Sequence, residues 1–280
     1  MADIGRFNRL QVIKQKDFGV YLDGGELGEI LLPSRYVPEE CEIGDWIEVF
    51  VSLDSEDYLV ATTQAPLAQV GDFALLRCAD VTRVGAFLDW GLPKQLLAPF
   101  GEQHRPMEVG KSYLVHIFID RSDRIVASSK LDRFLDKTPA DYRDGQAVDL
   151  IIANRTDLGF KAIVNGQHWG LIHQSDLFRR VHFGQKLNGY IKRVRDDGKL
   201  DLSLDKPGYG KIDGLAGQVL DRLRVEGGFI AAHDKTDPET ISRLFGCSKK
   251  AFKMAIGSLF KQRLIEIRDD GIKLIESGKR

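Results

Sequence analysis

A spacing that recurs three times constrains this 280-residue chain more than any other feature. Gly19, Gly85 and Gly159 each sit in a short apolar stretch, and a second glycine follows 25 residues later, at Gly44, Gly110 and Gly184. A hydroxyl comes 18 or 19 residues after that, at Thr62, Ser128 and Ser203. The residue 14 past the first glycine closes an apolar run each time, in LeuLeuPro at 31–33, LeuAlaPro at 97–99 and LeuIleHis at 171–173. Landmarks that hold register over three segments make this a repeat protein, with units of about 65 residues and about 70 residues left for something else.

Within each unit the apolar residues alternate over short runs cut by Gly, Pro and Asp. The third reads DLIIANRTDLGFKAIVNG, GLIH, LNGYIKRV and KLDLSL. Four or five short strands with tight turns predict a small closed antiparallel barrel, which also removes the edge strands that would otherwise aggregate. A glycine inside a strand pattern predicts a bulge or sharp bend there.

Composition narrows the function classes. No apolar run approaches the ~18 residues of a membrane span, and MADIGRFNRL has no charged-then-apolar signal pattern. Cys41, Cys78 and Cys247 are scattered and form no CxxC pair, which argues against structural zinc or a disulfide framework and fits a reducing cytoplasm. The net charge of −1 hides an asymmetry: residues 1–143 hold 16 Lys+Arg against 23 Asp+Glu, and residues 144–280 hold 24 against 18. An anionic partner at the basic end is the expectation, against ordinary drift of surface charge. No GxxxxGK[ST], HExxH, GxSxG or CxxC is present, and nothing marks a carboxylate pair as catalytic, so an enzyme is not expected and neither is a cofactor or metal. GlyTyrGlyLysIleAspGly at 208–214 is glycine-rich but follows no strand.

The order of a glycine turn, GlyLeuIleHis at 170–173, GlyGlnLys at 184–186 and LeuSerLeu at 202–204 resembles the S1 RNA-binding domain, an OB-fold barrel. The third repeat matches best. The first keeps AspPheGlyValTyr at 17–21 and the second ValGlyAlaPhe at 84–87. The resemblance implies a base-stacking platform formed by an aromatic just before the glycine, another two past it, and the histidine. The first repeat supplies Phe18 and Tyr21 but has Pro33 in place of the histidine. The second supplies only Phe87, with Val84 and Pro99. The third keeps His173 but has Leu158 and Lys161, with Phe160 displaced by one, and its pair near the last turn becomes Arg195 and Lys199.

Aromatic faces stack bases of any sequence for about 1–3 kcal/mol each, while Lys and Arg track phosphates. The candidate RNA-binding residues of the third barrel are therefore Lys161, His173, Lys192, Arg193, Arg195 and Lys199, with Lys186 adding to the basic supply. The stacking candidates are Phe18, Tyr21, Phe87 and Phe160; core or inter-domain packing is the alternative for Phe18, Tyr21 and Phe87, as an ordinary strand-end position is for His173. Trp169, Phe178 and Phe183 read as packing residues.

After residue 206 the apolar period changes from two to about 3.6. Leu215, Val219, Leu220 and Leu223 mark one helix, and PheIleAlaAla at 229–232 a short strand. Asp237 with Pro238 starts a second helix that ends at Gly246, and Ser248 caps a third running to about Gln262. IleGluIleArg at 265–268 and IleLysLeuIle at 272–275 read as a hairpin, and the whole looks like a winged-helix domain. In the third helix Phe252, Ile256, Leu259 and Phe260 form the expected buried stripe. Lys249, Lys250, Lys253 and Lys261 join the candidate RNA-binding set, since lysines on a recognition helix suit phosphate contact. No residue pair suited to bidentate base-edge reading stands out.

The expected architecture is mainly β with a C-terminal α+β module: three tandem S1-type OB-fold barrels of five strands at 1–65, 66–138 and 139–206, then a winged helix at 207–280. The link at 131–143 is a hinge or a short helix. This order resembles the conserved virulence factor B family of bacterial S1-domain proteins. That resemblance implies a cytoplasmic RNA-binding protein with a post-transcriptional role in gene expression and virulence regulation, single-stranded RNA being the expected partner. A duplex-DNA transcriptional regulator, or an adaptor for the ribosome, a nuclease or other RNA-associated proteins, remains the alternative.

Overall fold

The computed structural model describes residues 2–137, 141–177, 180–204 and 210–275, with side chains in the last stretch from residue 214 onward. Phe178 and residues 205–209, which include the first two residues of the glycine-rich segment at 208–214, lie outside the described residues. The chain divides into two compact units, residues 1–135 and 136–280.

The first unit holds two closed five-stranded barrels. Barrel 1 uses β1 (Phe7–Lys16), β2 (Gly19–Asp23), β3 (Glu29–Pro33), β4 (Trp46–Leu53) and β5 (Leu59–Thr62). Barrel 2 uses β6 (Phe73–Thr82), β7 (Gly85–Asp89), β8 (Leu96–Pro99), β9 (Ser112–Ile119) and β10 (Ile125–Ser128). In both the third strand pairs in parallel with the fifth, Leu31 with Val60 and Leu97 with Val126. The two barrels are tied together. Phe50 of β4 is fully buried within the core of barrel 2, edge-on to Trp90 at 5.6 Å, and the Val70 amide donates to the Gly5 carbonyl at 2.8 Å.

The second unit holds barrel 3, formed by β11 (Ala147–Thr156), β12 (Gly159–Val164), β13 (His168–His173), β14 (Lys186–Val194) and β15 (Leu200–Ser203), with the same strand order. It also holds the winged helix, with α1 (Gly210–Val225), β16 (Phe229–Ile230), α2 (Pro238–Phe245), α3 (Lys249–Lys261), β17 (Ile265–Ile267) and β18 (Ile272–Leu274). Asp237 caps α2 by accepting from the Thr240 amide, and Ser248 caps α3 by accepting from the Ala251 amide. Each supplies a side-chain acceptor to an amide that the helix itself leaves unpaired. The link at 131–143 opens with a 3₁₀ turn at Leu131–Arg133.

The repeated landmarks have separate physical causes. Gly19, Gly85 and Gly159 have φ of 153°, 151° and 149°, and a Cβ would lie 2.2, 2.5 and 2.0 Å from the carbonyl oxygens of Leu32, Ala98 and Ile172. Only glycine lets the backbones meet there. The bulge is elsewhere, one strand earlier, between Val12 and Lys14, Cys78 and Asp80, and Ile152 and Asn154. The second glycine pins it: the amides of Gly44, Gly110 and Gly184 donate to the carbonyls of Val12, Cys78 and Ile152 at 2.7–2.8 Å. The closing hydroxyls of Thr62, Ser128 and Ser203 are buried.

One buried residue is placed differently from the sequence expectation. Phe260 is 54% exposed, and Ala255 takes its place beside Phe252, Ile256 and Leu259. Each residue turns the helix by 100°, so Phe260 lies one step past Leu259 and outside the stripe.

Candidate nucleic-acid interface

Strand register gathers most of the third barrel's candidates into one patch. Lys161 on β12 pairs with Leu171 on β13, which pairs with Asp201 on β15, which pairs with Arg193 on β14. His173 stands two residues beyond Leu171, and Arg195 two beyond Arg193. A register shift between Ile191 and Arg193 interrupts the alternation of β14, so Lys192 and Arg193 are both exposed.

At the centre, Arg195 grips Asp201 with two hydrogen bonds, Nε to Oδ2 at 2.9 Å and Nη2 to Oδ1 at 2.6 Å. His173 Nε2 lies 2.9 Å from the same Oδ1 and 3.0 Å from Arg195 Nη2. Burial opposes the charge on Asp201, but hydrogen bonds from Arg195 and His173 outweigh it and hold the carboxyl below the usual range. Hydrogen bonding to Asp201 in turn raises the Arg195 guanidinium. The result is a guanidinium plane fixed beside an imidazole on an accessible face.

Other cations in the patch are committed locally. Lys192 Nζ contacts Asp176 Oδ2 at 2.5 Å, and the Asp176 side chain is only 4% exposed. That lysine compensates a buried carboxylate, which gives it a structural role. Lys199 pairs with Asp197 at 2.7 Å at the tip of the β14–β15 turn. The Lys161 ammonium sits 3.8 Å from the centroid of the Trp169 ring. Arg193 is exposed and has no carboxylate partner among the described residues.

The stacking candidates separate. Phe18 is 55% exposed, with Tyr21 edge-on at 6.2 Å and Lys14 Nζ 5.1 Å from the Tyr21 ring. This is an accessible aromatic pair, not core packing. Phe87 is half-buried on the equivalent face of barrel 2. Phe160 packs against the core of barrel 3, so the structure does not favour it as a stacking residue. The strand pleat turns it inward and presents Lys161 outward. Phe183, expected to pack, is 48% exposed.

In the winged helix, Lys249 Nζ donates to the Lys235 carbonyl at 3.2 Å, and Lys253 lies 3.6 Å from Asp234. Lys250 and Lys261 are exposed, as is Met254 at 50%. The accessible side of α3 therefore mixes two lysines with an apolar surface.

Sequence reasoning missed Asp201 and Asp176. Asp201 carries a readable signal: the residue two before the closing hydroxyl is Val60 in the first repeat and Val126 in the second, and an acid in the third. Asp176 sits in a 3₁₀ turn, Gln174–Asp176, that the strand periodicity did not reveal. Among the described residues no group of three or more His, Cys, Asp or Glu is placed to hold a metal, and no helix is long and apolar enough to cross a membrane.

Comparison with known proteins agrees with this architecture. Residues 4–64 match the S1 domain family, and residues 217–274 match the CvfB-like winged helix domain, both of nucleic-acid-binding type. The matched S1 stretch is the first repeat, although the motif fragments are fullest in the third. The chain is 28% identical to YitL of Bacillus subtilis, over 90% of this chain and 87% of that one. It is 27% identical to conserved virulence factor B of Staphylococcus haemolyticus, over 98% and 95%. A crystal structure of a multidomain protein with nucleic acid binding domains from Streptococcus pneumoniae is 25% identical, with a TM-score of 0.42 over 97% of this chain and 98% of that one. The resemblance read from the sequence is borne out by the two domain-family matches and the two relatives.

Proposed function

From a chain of the conserved virulence factor B kind, with an S1 domain and a CvfB-like winged helix, we propose a non-enzymatic regulator that acts in the cytoplasm by binding single-stranded RNA through barrel 3 and α3. The observation that carries this reading is the patch around Asp201, where register brings Lys161, His173, Arg193 and Arg195 to one accessible face. Arg193 and the α3 lysines 250 and 261 supply phosphate contacts, and the fixed Arg195 plane with His173 gives bases a flat surface to lie on. Single strands suit such a face because their bases are free to splay and stack, which bases in a duplex are not. The exposed Phe18–Tyr21 pair offers a second, sequence-tolerant stacking site in barrel 1.

The test is equilibrium binding of labelled single-stranded RNA, single-stranded DNA and duplex DNA to the full chain across a salt series. Arg193→Ala and Arg195→Ala variants run alongside. The reading expects RNA preferred over duplex, with both variants weaker and the Arg193→Ala slope of log K against log salt shallower by about 1. A preference for duplex DNA abolished by Lys250→Ala would transfer the function to the winged helix as a DNA reader. Absence of binding to any of the three would leave the barrels as protein-interaction modules.

A further inference from the structure

A cleft of about 650 Å³ lies within the first unit, with one wall from each barrel. Its barrel 2 wall carries Val84, Phe87 and Val126, which in repeat register are the counterparts of Leu158, Lys161 and Asp201 on the third barrel's accessible face. The face that barrel 3 leaves open is, in barrel 2, turned into a cleft. The facing wall is barrel 1's Arg35, Tyr36 and the β4–β5 loop.

Cross-barrel bonds fix the cleft in shape. Lys94 Nζ donates to the carbonyls of Leu53 at 3.1 Å and Asp54 at 2.5 Å. Arg124 Nη2 binds Asp57 Oδ2 at 2.6 Å. Preformed clefts of this size, mostly apolar with a few placed polar groups, are the usual form of small-ligand sites.

Charge chooses the class of ligand. Arg35 and the β4–β5 loop's Asp54 and Asp57 line the barrel 1 wall and Lys94 and Arg124 the barrel 2 wall, three cations to two carboxylates, inside a half of the chain that holds 23 acids to 16 bases. Asp57 is spent on Arg124, and Asp54 accepts from the Glu56 and Tyr58 amides at 2.9 and 3.0 Å. Arg35 has no carboxylate partner among the described residues and stands 4.7 Å over the Tyr36 ring. A free guanidinium beside accessible aromatic edges fits a small aromatic anion. The acidic surroundings disfavour a long polyanion, whose charges extend beyond the cleft into a repelling field.

We propose that this cleft binds one nucleotide, with its base against Phe87 and its phosphate at Arg35, either free or as the terminal nucleotide of a strand. This site is separate from the barrel 3 patch. The test is calorimetric titration of the full chain with each of the four nucleoside monophosphates, then with short oligoribonucleotides bearing a terminal phosphate. The expected result is saturable binding at one site per chain, weakened about tenfold by Phe87→Leu and by Arg35→Gln, and unchanged by Arg195→Ala. Phe87→Leu keeps an apolar side chain and Arg35 is exposed, so thermal melts are expected to show both variants folded. Oligonucleotides that compete with the monophosphate identify a strand terminus; those that do not identify the free nucleotide. Lack of saturation with folded protein overturns the proposal, as does binding that survives both cleft variants. Binding lost in Arg195→Ala instead assigns the nucleotide to barrel 3, which overturns the cleft while leaving the RNA reading intact.

Discussion

Asp201 and Arg195, six residues apart across the β14–β15 turn, are joined by two hydrogen bonds of 2.6 and 2.9 Å, with His173 against the shared oxygen. Barrels 1 and 2 have valines in place of Asp201, so this bond is what distinguishes the third face chemically. The folded state depresses the Asp201 carboxyl, so its stabilising effect is present above the ordinary carboxylate range near pH 4 and is lost as pH falls through the lower folded value. Asp201→Asn is expected to cost about 2 kcal/mol at pH 7, as for loss of hydrogen bonds to a charged group. It is also expected to flatten the loss of stability as pH falls below about 4. Urea unfolding at several pH values checks both; a variant curve parallel to that of the parent would show that the pair contributes nothing.

Lys192 and Arg193 are adjacent, exposed and both basic, yet they are expected to behave oppositely. Lys192→Ala removes the ammonium that contacts the buried Asp176 carboxylate and is expected to cost about 1–3 kcal/mol of stability. The double variant Lys192→Met with Asp176→Leu recovers most of that. Arg193→Ala is expected to change stability by less than about 0.5 kcal/mol while weakening RNA binding. Chemical denaturation and RNA titration of the same preparations separate the two residues, and equal destabilisation by both would refute the distinction.

Gly159→Ala places a methyl 2.0 Å from the Ile172 carbonyl oxygen at a φ of 149°. Because the obstacle is backbone, barrel 3 must open or distort, at a cost of at least about 2 kcal/mol. Gly145→Ala is the comparison: its φ of 84° carries backbone strain, but nothing lies within 4 Å of the added Cβ. Thermal melts ranking Gly159→Ala clearly below Gly145→Ala are the expected result.

His116 lies between the Phe73 and Phe134 rings at 4.5 and 4.2 Å, and its Nδ1 is buried with no hydrogen-bond partner among the described residues. Burial lowers its pKa to about 4. The unfolded chain then binds the proton more readily, so stability falls as pH drops from about 6.5 to about 4, by on the order of 2–3 kcal/mol. His116→Phe is expected to remove that dependence. Because Phe134 lies in the link at 131–143, protease sensitivity near residue 135 is expected to rise at pH 5 in the parent and not in the variant.

The sequence made the repeat, the barrels and the winged helix legible because each rests on local rules: glycine where backbones touch, hydroxyls and caps at fixed offsets, and a change of apolar period after residue 206. The caps Asp237 and Ser248 fall where the pattern put them. The site was legible in part. Lys161, His173, Arg193 and Arg195 do share a face, but their shared partner Asp201 enters from another strand, and pairing across strands is not a local property. Lys192 and Phe160 show the same limit from the other side: one bulge and one pleat decide which side chains look outward, and residue type reports neither.

The lysines of α3 supply the last discriminating measurement. Lys249 is engaged by the Lys235 carbonyl and Lys253 lies near Asp234, whereas Lys250 and Lys261 are exposed. If α3 neutralises phosphates, Lys250→Ala and Lys261→Ala each reduce the slope of log K against log salt by about 1, and Lys249→Ala reduces it little. The prediction concerns the slope because a counterion released per phosphate contact is what distinguishes contact from general attraction. Loss of affinity with no change of slope would mean that these lysines act through the fold or through the neighbouring Met254 surface. In that case the winged helix would be reading something other than a phosphate backbone.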